Sequence, residues 1–158
     1  MTDEAKQVFT RRLTQCNRGE LVVIMYDILF THLMTAKEAL EKCDGNEFSE
    51  SLRMAQMVLE RLMSDLNFKY DISRQLYPLY VFCRNELAKA MYESRLDRIE
   101  AAEKILKSLY SAFTKAAESD TSGPLMRNTQ QVYAGMTYGK CSVNENLMDT
   151  NTQRGFFV

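Results

Sequence analysis

The chain lacks the residues from which metal centres are usually built. Histidine occurs once, at His32, and the four cysteines show no C-x-x-C spacing. They are widely separated along the chain, at Cys16, Cys43, Cys83 and Cys141. Because metal sites need clustered thiolate or imidazole ligands, the sequence predicts no metal and no cofactor. We expect free, reduced thiols that pack as small hydrophobic side chains, and a partly exposed His32 on a helix.

Patterns that mark enzymes are also missing. The sequence has no glycine-rich phosphate loop, no nucleophile close to a histidine, no Glu-x-x-His pattern and no carboxylate pair at ligand spacing. Each of these patterns would place reactive groups within reach of one another in a fold. We therefore expect a binding protein with no catalytic residues rather than an enzyme.

Long apolar runs and an excess of one charge are absent as well. The formal net charge is −1, so we expect no long-range attraction to nucleic acid or to anionic lipid. No apolar run approaches the roughly 20 residues that a membrane span needs. The polar character of residues 1–6 predicts no secretory signal. Together these features predict a cytosolic protein without a nucleic-acid partner or a membrane span.

What the sequence does contain is a long apolar stripe that follows a helix-start signal. Asn17 and Glu20 have the spacing of a capping box, in which each side chain binds the backbone amide of the other residue. The stripe repeats at intervals of three and four residues, through Leu21, Ile24, Met25, Ile28, Leu29, Leu33, Ala36 and Leu40. That interval is the period of one helix face, and such a face must pack against other helices.

Three similar stripes follow, so the spacing predicts helices over residues 18–43, 45–67, 72–94 and 98–118. The loops between them are roughly three to six residues long, and loops this short favour antiparallel neighbours. The sequence therefore predicts an all-α fold, an antiparallel up-down four-helix bundle. Its expected core residues include Leu29, Leu33, Leu59, Leu62, Leu87, Ile105 and Leu109.

Capping and breaking residues refine these helix predictions. Asp44 with Glu47, and Asp97 with Glu100, have capping-box spacing at the starts of the second and fourth helices. Asp71 or Ser73 is expected to cap the third helix. Pro78 lies within the third stripe, so we expect that helix to start late or to bend, since proline lacks an amide donor.

Both ends of the chain differ from the bundle. Residues 4–13 predict a short N-terminal helix whose apolar edge, Val8, Phe9 and Leu13, is too small for stability alone, so we expect it to be movable. Residues 118–124 have the composition of a linker, which divides the chain into a bundle, residues 1–119, and an irregular C-terminal tail, residues 120–158. The tail carries apolar residues, so it is a solvated segment, a segment that folds back onto a groove of the bundle, or a segment that adds contacts to a bound partner.

Tyrosine and methionine are abundant, with eight and ten copies respectively. Methionine fills irregular contacts, and surfaces that accept helical peptides use it heavily, although such residues at helical spacing are more often part of a core. The candidate binding residues lie at or beside the stripes of three helices: Leu21, Ile24, Met54, Met57, Tyr77 and Tyr80.

Blocks along the chain resemble a known family. Residues 15–27 read Q-C-N-R-G-E-L-V-V-I-M-Y-D, and this block resembles the T-A-S-P-x-E-L-V-x-M-L-Y-D-G with which the first bundle helix of the flagellin-specific export chaperones, the FliS family, typically starts. Residues 36–42 resemble the end of that helix. Residues 62–68 are similar to the L-x-x-x-L-N element that closes its second helix, and residues 76–80, L-Y-P-L-Y, match L-Y-x-L-Y in the third. The blocks occur in the family's order and cover residues 15–117.

The resemblance implies a cytosolic chaperone that is a monomer or a weak homodimer. It implies that the chain binds the C-terminal segment of flagellin, prevents premature polymerisation, and delivers flagellin to the export gate of the flagellar type III apparatus. The alternative is a self-assembling helical bundle without a flagellin client, whose apolar stripes pack against a second copy. Nothing in the family pattern accounts for residues 123–158.

Overall fold

The structure is a computed structural model that describes residues 3–126 of the chain. These residues form five α-helices and no β-strand. The helices are α1 (Asp3–Gln15), α2 (Arg18–Glu41), α3 (Gly45–Ser64), α4 (Asp71–Glu93) and α5 (Leu96–Glu118). The predicted all-helical class is confirmed, and the predicted ranges differ from α2–α5 only at their ends. Most of the predicted tail, residues 127–158, lies outside the described residues.

The predicted start of α2 is confirmed in atomic detail. The Asn17 Oδ1 accepts a hydrogen bond from the Glu20 backbone N–H at 2.8 Å, and the Glu20 carboxylate accepts one from the Asn17 N–H at 2.9 Å. At α3, the Asp44 carboxylate caps the amides of Asn46 and Glu47, without a reciprocal bond from Glu47. These local interactions satisfy backbone donors that have no partner within the helix.

The predicted capping box at the start of α5 is wrong. The helix begins at Leu96, so Asp97 lies inside the first turn instead of before it, and no side chain caps the helix. The Asp97 carboxylate is held by Arg95, with two hydrogen bonds of 2.9 and 2.7 Å. An arginine two residues away offers a charged partner, and the capping-box pairing of Asp97 with Glu100 therefore does not form.

The start of α4 also differs from its prediction. The residue before the helix is Tyr70, whose side chain makes no capping hydrogen bond, while Asp71 is the first helical residue and Ser73 is buried within the helix. Pro78 lies inside α4, so the helix does not start late. A proline there leaves the carbonyl four residues earlier, at Arg74, without its helical donor.

The four longer helices share one core. Helix α2 contacts α3 and α5, and α4 contacts the same two helices. The core prediction is confirmed for Leu29, Leu33, Leu59, Leu62 and Leu87. It is wrong for two residues of α5, since Ile105 and Leu109 are only partly buried against the core. The buried residues of α5 are Ile99, Ala102 and Leu106, which lie at spacings of three and four.

The core contains buried polar groups that are paired. The hydroxyl groups of Tyr26 and Tyr80 are 2.8 Å apart and form a hydrogen bond between α2 and α4. The Glu86 carboxylate on α4 accepts hydrogen bonds from Lys89 and from Arg98 on α5. These two cations hold the pKa of Glu86 below its ordinary value. Pairing of this kind removes most of the cost of burying polar groups.

Helix α2 is long and apolar enough, by length and composition alone, to cross a membrane, and it is the one such helix among residues 3–126. The helix is not an uninterrupted apolar run, because Glu20, Asp27 and Lys37 lie within it. The core helix of a soluble bundle meets the same criterion, and Tyr26, Leu29 and Leu33 of α2 are fully buried among the other helices. The criterion is therefore weak evidence for a membrane span.

The cysteines follow their prediction in part. Cys16 and Cys83 are buried free thiols, as expected, whereas Cys43 is free but exposed. Cys43 follows the end of α2, in the turn to α3, and has a φ of 57°. Cys141 lies outside the described residues. His32 is half-buried on α2, and burial lowers its pKa.

Candidate functional site

Helix α1 rests on the bundle through a small contact. Among the described helices it packs against α2 only, and Thr14 is its single buried residue. Phe9 and Leu13 are half-buried, while Val8 is exposed. The apolar edge of α1 is therefore as small as the sequence indicates, and a helix of this length gains little stability from its own hydrogen bonds.

An ion pair joins α1 to α2, and the same carboxylate of α2 is hydrogen-bonded to α5. The Arg12 Nη1 lies 2.7 Å from the Asp27 Oδ2 on α2. The Tyr110 hydroxyl on α5 donates to the other carboxylate oxygen of Asp27 at 2.9 Å, and this bond to a carboxylate raises the pKa of Tyr110. Because the Arg12 side chain is partly exposed, at 43%, we expect its ion pair to contribute at most about 1 kcal/mol.

A cavity of about 490 Å³ lies where α1, α2 and α5 meet. Its lining residues come from all three helices and the α1–α2 connection: Arg12, Gln15, Cys16, Glu20, Val23, Ile24, Thr114, Ala117 and Glu118. The cavity is open to solvent, and α1 covers part of it with Arg12 and Gln15. Ile24 is nevertheless buried, and it faces this region of the structure.

A second candidate region, of mixed polar and aromatic character, lies along α3 and α4. A smaller cavity of about 280 Å³ is lined there by Glu60, Met63, Ser64, Tyr77 and Arg84. Beside it, the Phe68 ring packs edge-to-face against Tyr77, with ring centroids 5.5 Å apart, and both side chains remain exposed. We call these six residues the α3–α4 surface. Exposed aromatic side chains that contact one another are typical of interaction sites.

The six candidate residues from the sequence do not lie on one surface. Met54, Met57 and Tyr77 are exposed on α3 and α4, and Leu21 is half-buried on α2. Two are interior residues. Ile24 is buried, and Tyr80 is only 1% exposed.

Tyr80 is a core residue because it lies on the same face of α4 as Leu76, Cys83 and Leu87. Burial raises the pKa of its hydroxyl and of the Tyr26 hydroxyl to which it is bonded. Both tyrosines therefore remain neutral hydrogen-bonding groups inside the bundle. The sequence pattern placed Tyr77 and Tyr80 together, and only the structure separates an exposed tyrosine from a buried one.

The sequence pattern missed other residues of these regions. Phe68 stands in the loop between α3 and α4, where no helical period applies, and its contact with Tyr77 depends on how that loop folds. Arg12 and Asp27 join different helices, so their pairing has no signature in local spacing. The sequence did contain one indication of Phe68, because it is an aromatic residue directly after the L-N pair, Leu66 and Asn67.

The described helices correspond to one family over their whole length. Residues 1–120, which include α1 to α5, match the family described as flagellar protein FliS. The chain belongs to the flagellar protein FliS family. The resemblance seen in residues 15–117 is thereby confirmed. Membership of this family implies the role of a flagellar export chaperone. Among curated proteins, none matches the chain.

Proposed function

We propose that this FliS-family protein binds the disordered C-terminal segment of flagellin in the cytosol. Binding would prevent premature polymerisation and assist delivery of flagellin to the flagellar type III export gate. The match to the FliS family across residues 1–120 carries the proposal. We further propose that α2–α5 form an antiparallel up-down bundle on which α1 is a movable cover.

Two regions of the bundle suit a client of this kind. The α3–α4 surface presents Phe68 and Tyr77 without any displacement of the protein. The face of α2 beneath α1 presents Ile24 once α1 has left. A disordered segment that folds into helical turns can bury its apolar residues in both, and the large buried area offsets the ordering entropy of the segment.

The first prediction concerns binding itself. Calorimetry with a peptide from a flagellin C-terminus should show binding with a clearly negative heat-capacity change, because apolar surface is buried as the peptide orders. Salt should have little effect, since a net charge of −1 provides little electrostatic steering. No binding at high micromolar peptide would contradict the proposal. Light scattering that shows a stable dimer of the free chain would then favour the self-assembling alternative.

The second prediction separates the two tyrosines. Tyr77→Ala should weaken peptide binding about tenfold, because exposed aromatic residues dominate many interfaces, with little change in stability. Tyr80→Phe should leave peptide affinity unchanged but lower the free energy of unfolding by about 1–2 kcal/mol, because the buried Tyr26 hydroxyl loses its partner. Calorimetry and urea unfolding on both variants measure the two effects. The opposite pattern would show that Tyr80 belongs to the binding site.

A further inference from the structure

The segment after α5 folds back onto the connection between α1 and α2. The Asp120 carboxylate accepts a hydrogen bond from the backbone N–H of Gly19, in the first turn of α2, at 3.1 Å. The Asp120 backbone carbonyl accepts a second bond from the side-chain amide of Asn17, also at 3.1 Å. Asn17 is the capping residue of α2, so Asp120 is bonded to two residues at the start of that helix.

A third bond lies five residues further along the chain. The Leu125 backbone N–H donates to the carbonyl of Cys16 at 3.0 Å. Between the two attachment points, the Ser122 N–H donates to the Asp120 carboxylate at 2.9 Å and shapes the turn. We call residues 120–125 the strap. Its partners, Cys16, Asn17 and Gly19, are the residues through which α1 continues into α2.

The strap lies close to α2 and places the negative charge of Asp120 at the N-terminus of that helix. A carboxylate at a helix N-terminus is stabilised by the helix dipole, and its hydrogen bonds are stronger than those between neutral groups. Hydrogen bonds from the Ser122 side chain and its backbone amide, and then from the Gly19 amide, hold the pKa of Asp120 below its ordinary value. A Cβ atom at Gly19 would lie 3.0 Å from the Ala117 Cα, so a larger residue there would move α5 away from α2 by a few tenths of an ångström.

We propose that the strap holds the α1–α2 junction closed, and that Asp120 is the residue that positions it. Helix α1 itself makes only a small contact with α2, so fixing its C-terminal end limits how often the whole helix separates from the bundle. The strap thereby controls access to the α2 face beneath α1. The effect of the strap on client binding rests on the proposed flagellin binding. The effect of the strap on the separation of α1 does not depend on that proposal.

The chain contains its own reporters for this opening. Cys16 is 3% exposed, its thiol donates to the Leu13 carbonyl of α1, and it lines the cavity beneath that helix. Cys83 is fully buried in the core between α4 and α5. A thiol reagent can reach Cys16 when the junction opens, but it can reach Cys83 only when the core unfolds. The ratio of their labelling rates distinguishes local opening from global unfolding.

The experiment uses the full chain with Cys43→Ser and Cys141→Ser, so that Cys16 and Cys83 are the remaining thiols. Labelling with a soluble aromatic disulfide is followed by peptide mass spectrometry. Asp120→Ala should make Cys16 react about tenfold faster, because hydrogen bonds to a charged group are lost, while Cys83 keeps its rate. Asp71→Ala is the matched control: it makes the same change at a 90% exposed carboxylate in the first turn of α4, away from the strap and the cavity, and the Cys16 rate should not change.

A second pair of variants tests the other attachment point. Leu125→Pro removes the N–H that binds the Cys16 carbonyl, and it should also accelerate Cys16 labelling. Leu125→Ala keeps that N–H, loses only an exposed side chain, and should label like the parent chain. An unchanged Cys16 rate in both Asp120→Ala and Leu125→Pro would overturn the proposal. So would a parallel increase at Cys83, because the strap would then stabilise the whole fold. None of these measurements contains flagellin, so their outcome is independent of the proposed function.

Discussion

Replacing Leu59 by alanine should lower the free energy of unfolding by about 2–5 kcal/mol. Leu59 lies on α3 and is fully buried in the core shared by α2–α5. The loss has two sources: the transfer free energy of the removed methyl and methylene groups, and the cavity that the surrounding helices cannot fill completely. The midpoint of urea unfolding, followed by circular dichroism, measures the change.

Leu109→Ala is the matched control, because it makes the same chemical change on α5. Leu109 is only partly buried against the core, so its replacement should cost less, below about 2 kcal/mol. Equal losses for the two variants would contradict the observed orientation of α5. A midpoint unchanged by Leu59→Ala would contradict the core as a whole.

The parts of this fold that follow from short-range interactions could be predicted from the sequence. The start of α2 is set by Asn17 and Glu20, which are three residues apart and satisfy each other's backbone amides. The stripes of α2 and α3 repeat over many residues, so the average position of their buried faces is well determined. Leu29, Leu33 and Leu59 were accordingly placed in the core.

The sequence was less informative where neighbouring residues are chemically alike. On α5, Ile105, Leu106 and Leu109 are all aliphatic, and a helix rotated by one residue would have an equally good apolar stripe. Packing against α2 and α4 selects Leu106 as the fully buried residue. The capping box predicted for α5 failed for a related reason, because the Asp97 carboxylate binds the Arg95 side chain instead.

The candidate site depends mostly on contacts between distant parts of the chain. Asp120 and Gly19 are separated by 101 residues, and no periodicity links them. The excess of tyrosine and methionine, with their positions beside the helix stripes, placed Met57 and Tyr77 among the six candidate binding residues. It could not show that Tyr80 is bonded to Tyr26 inside the core, because burial is decided by the packing of all four longer helices.

Removing residues 1–13 should make the chain bind a flagellin C-terminal peptide about tenfold more tightly, or better. If α1 covers part of the client surface, only the molecules with α1 displaced can bind. The apparent dissociation constant is then the intrinsic constant divided by the fraction of those molecules, so it is larger. The shortened chain keeps Thr14, the capping residue Asn17 and the strap. Calorimetry measures affinity, and a cooperative urea transition of the shortened chain shows that the bundle is intact.

Two point variants test the same idea in the full chain. Arg12→Ala removes the ion pair with Asp27, and the affinity should rise about two- to fivefold, in keeping with the strength of a partly exposed pair. Arg11→Ala removes a neighbouring positive charge that has no ion-pair partner within residues 3–126, and the affinity should not change. Weaker binding by the shortened chain would show instead that α1 contacts the client. In that case α1 would be part of the binding surface and not its cover, because deleting a competitor cannot reduce the affinity of a site.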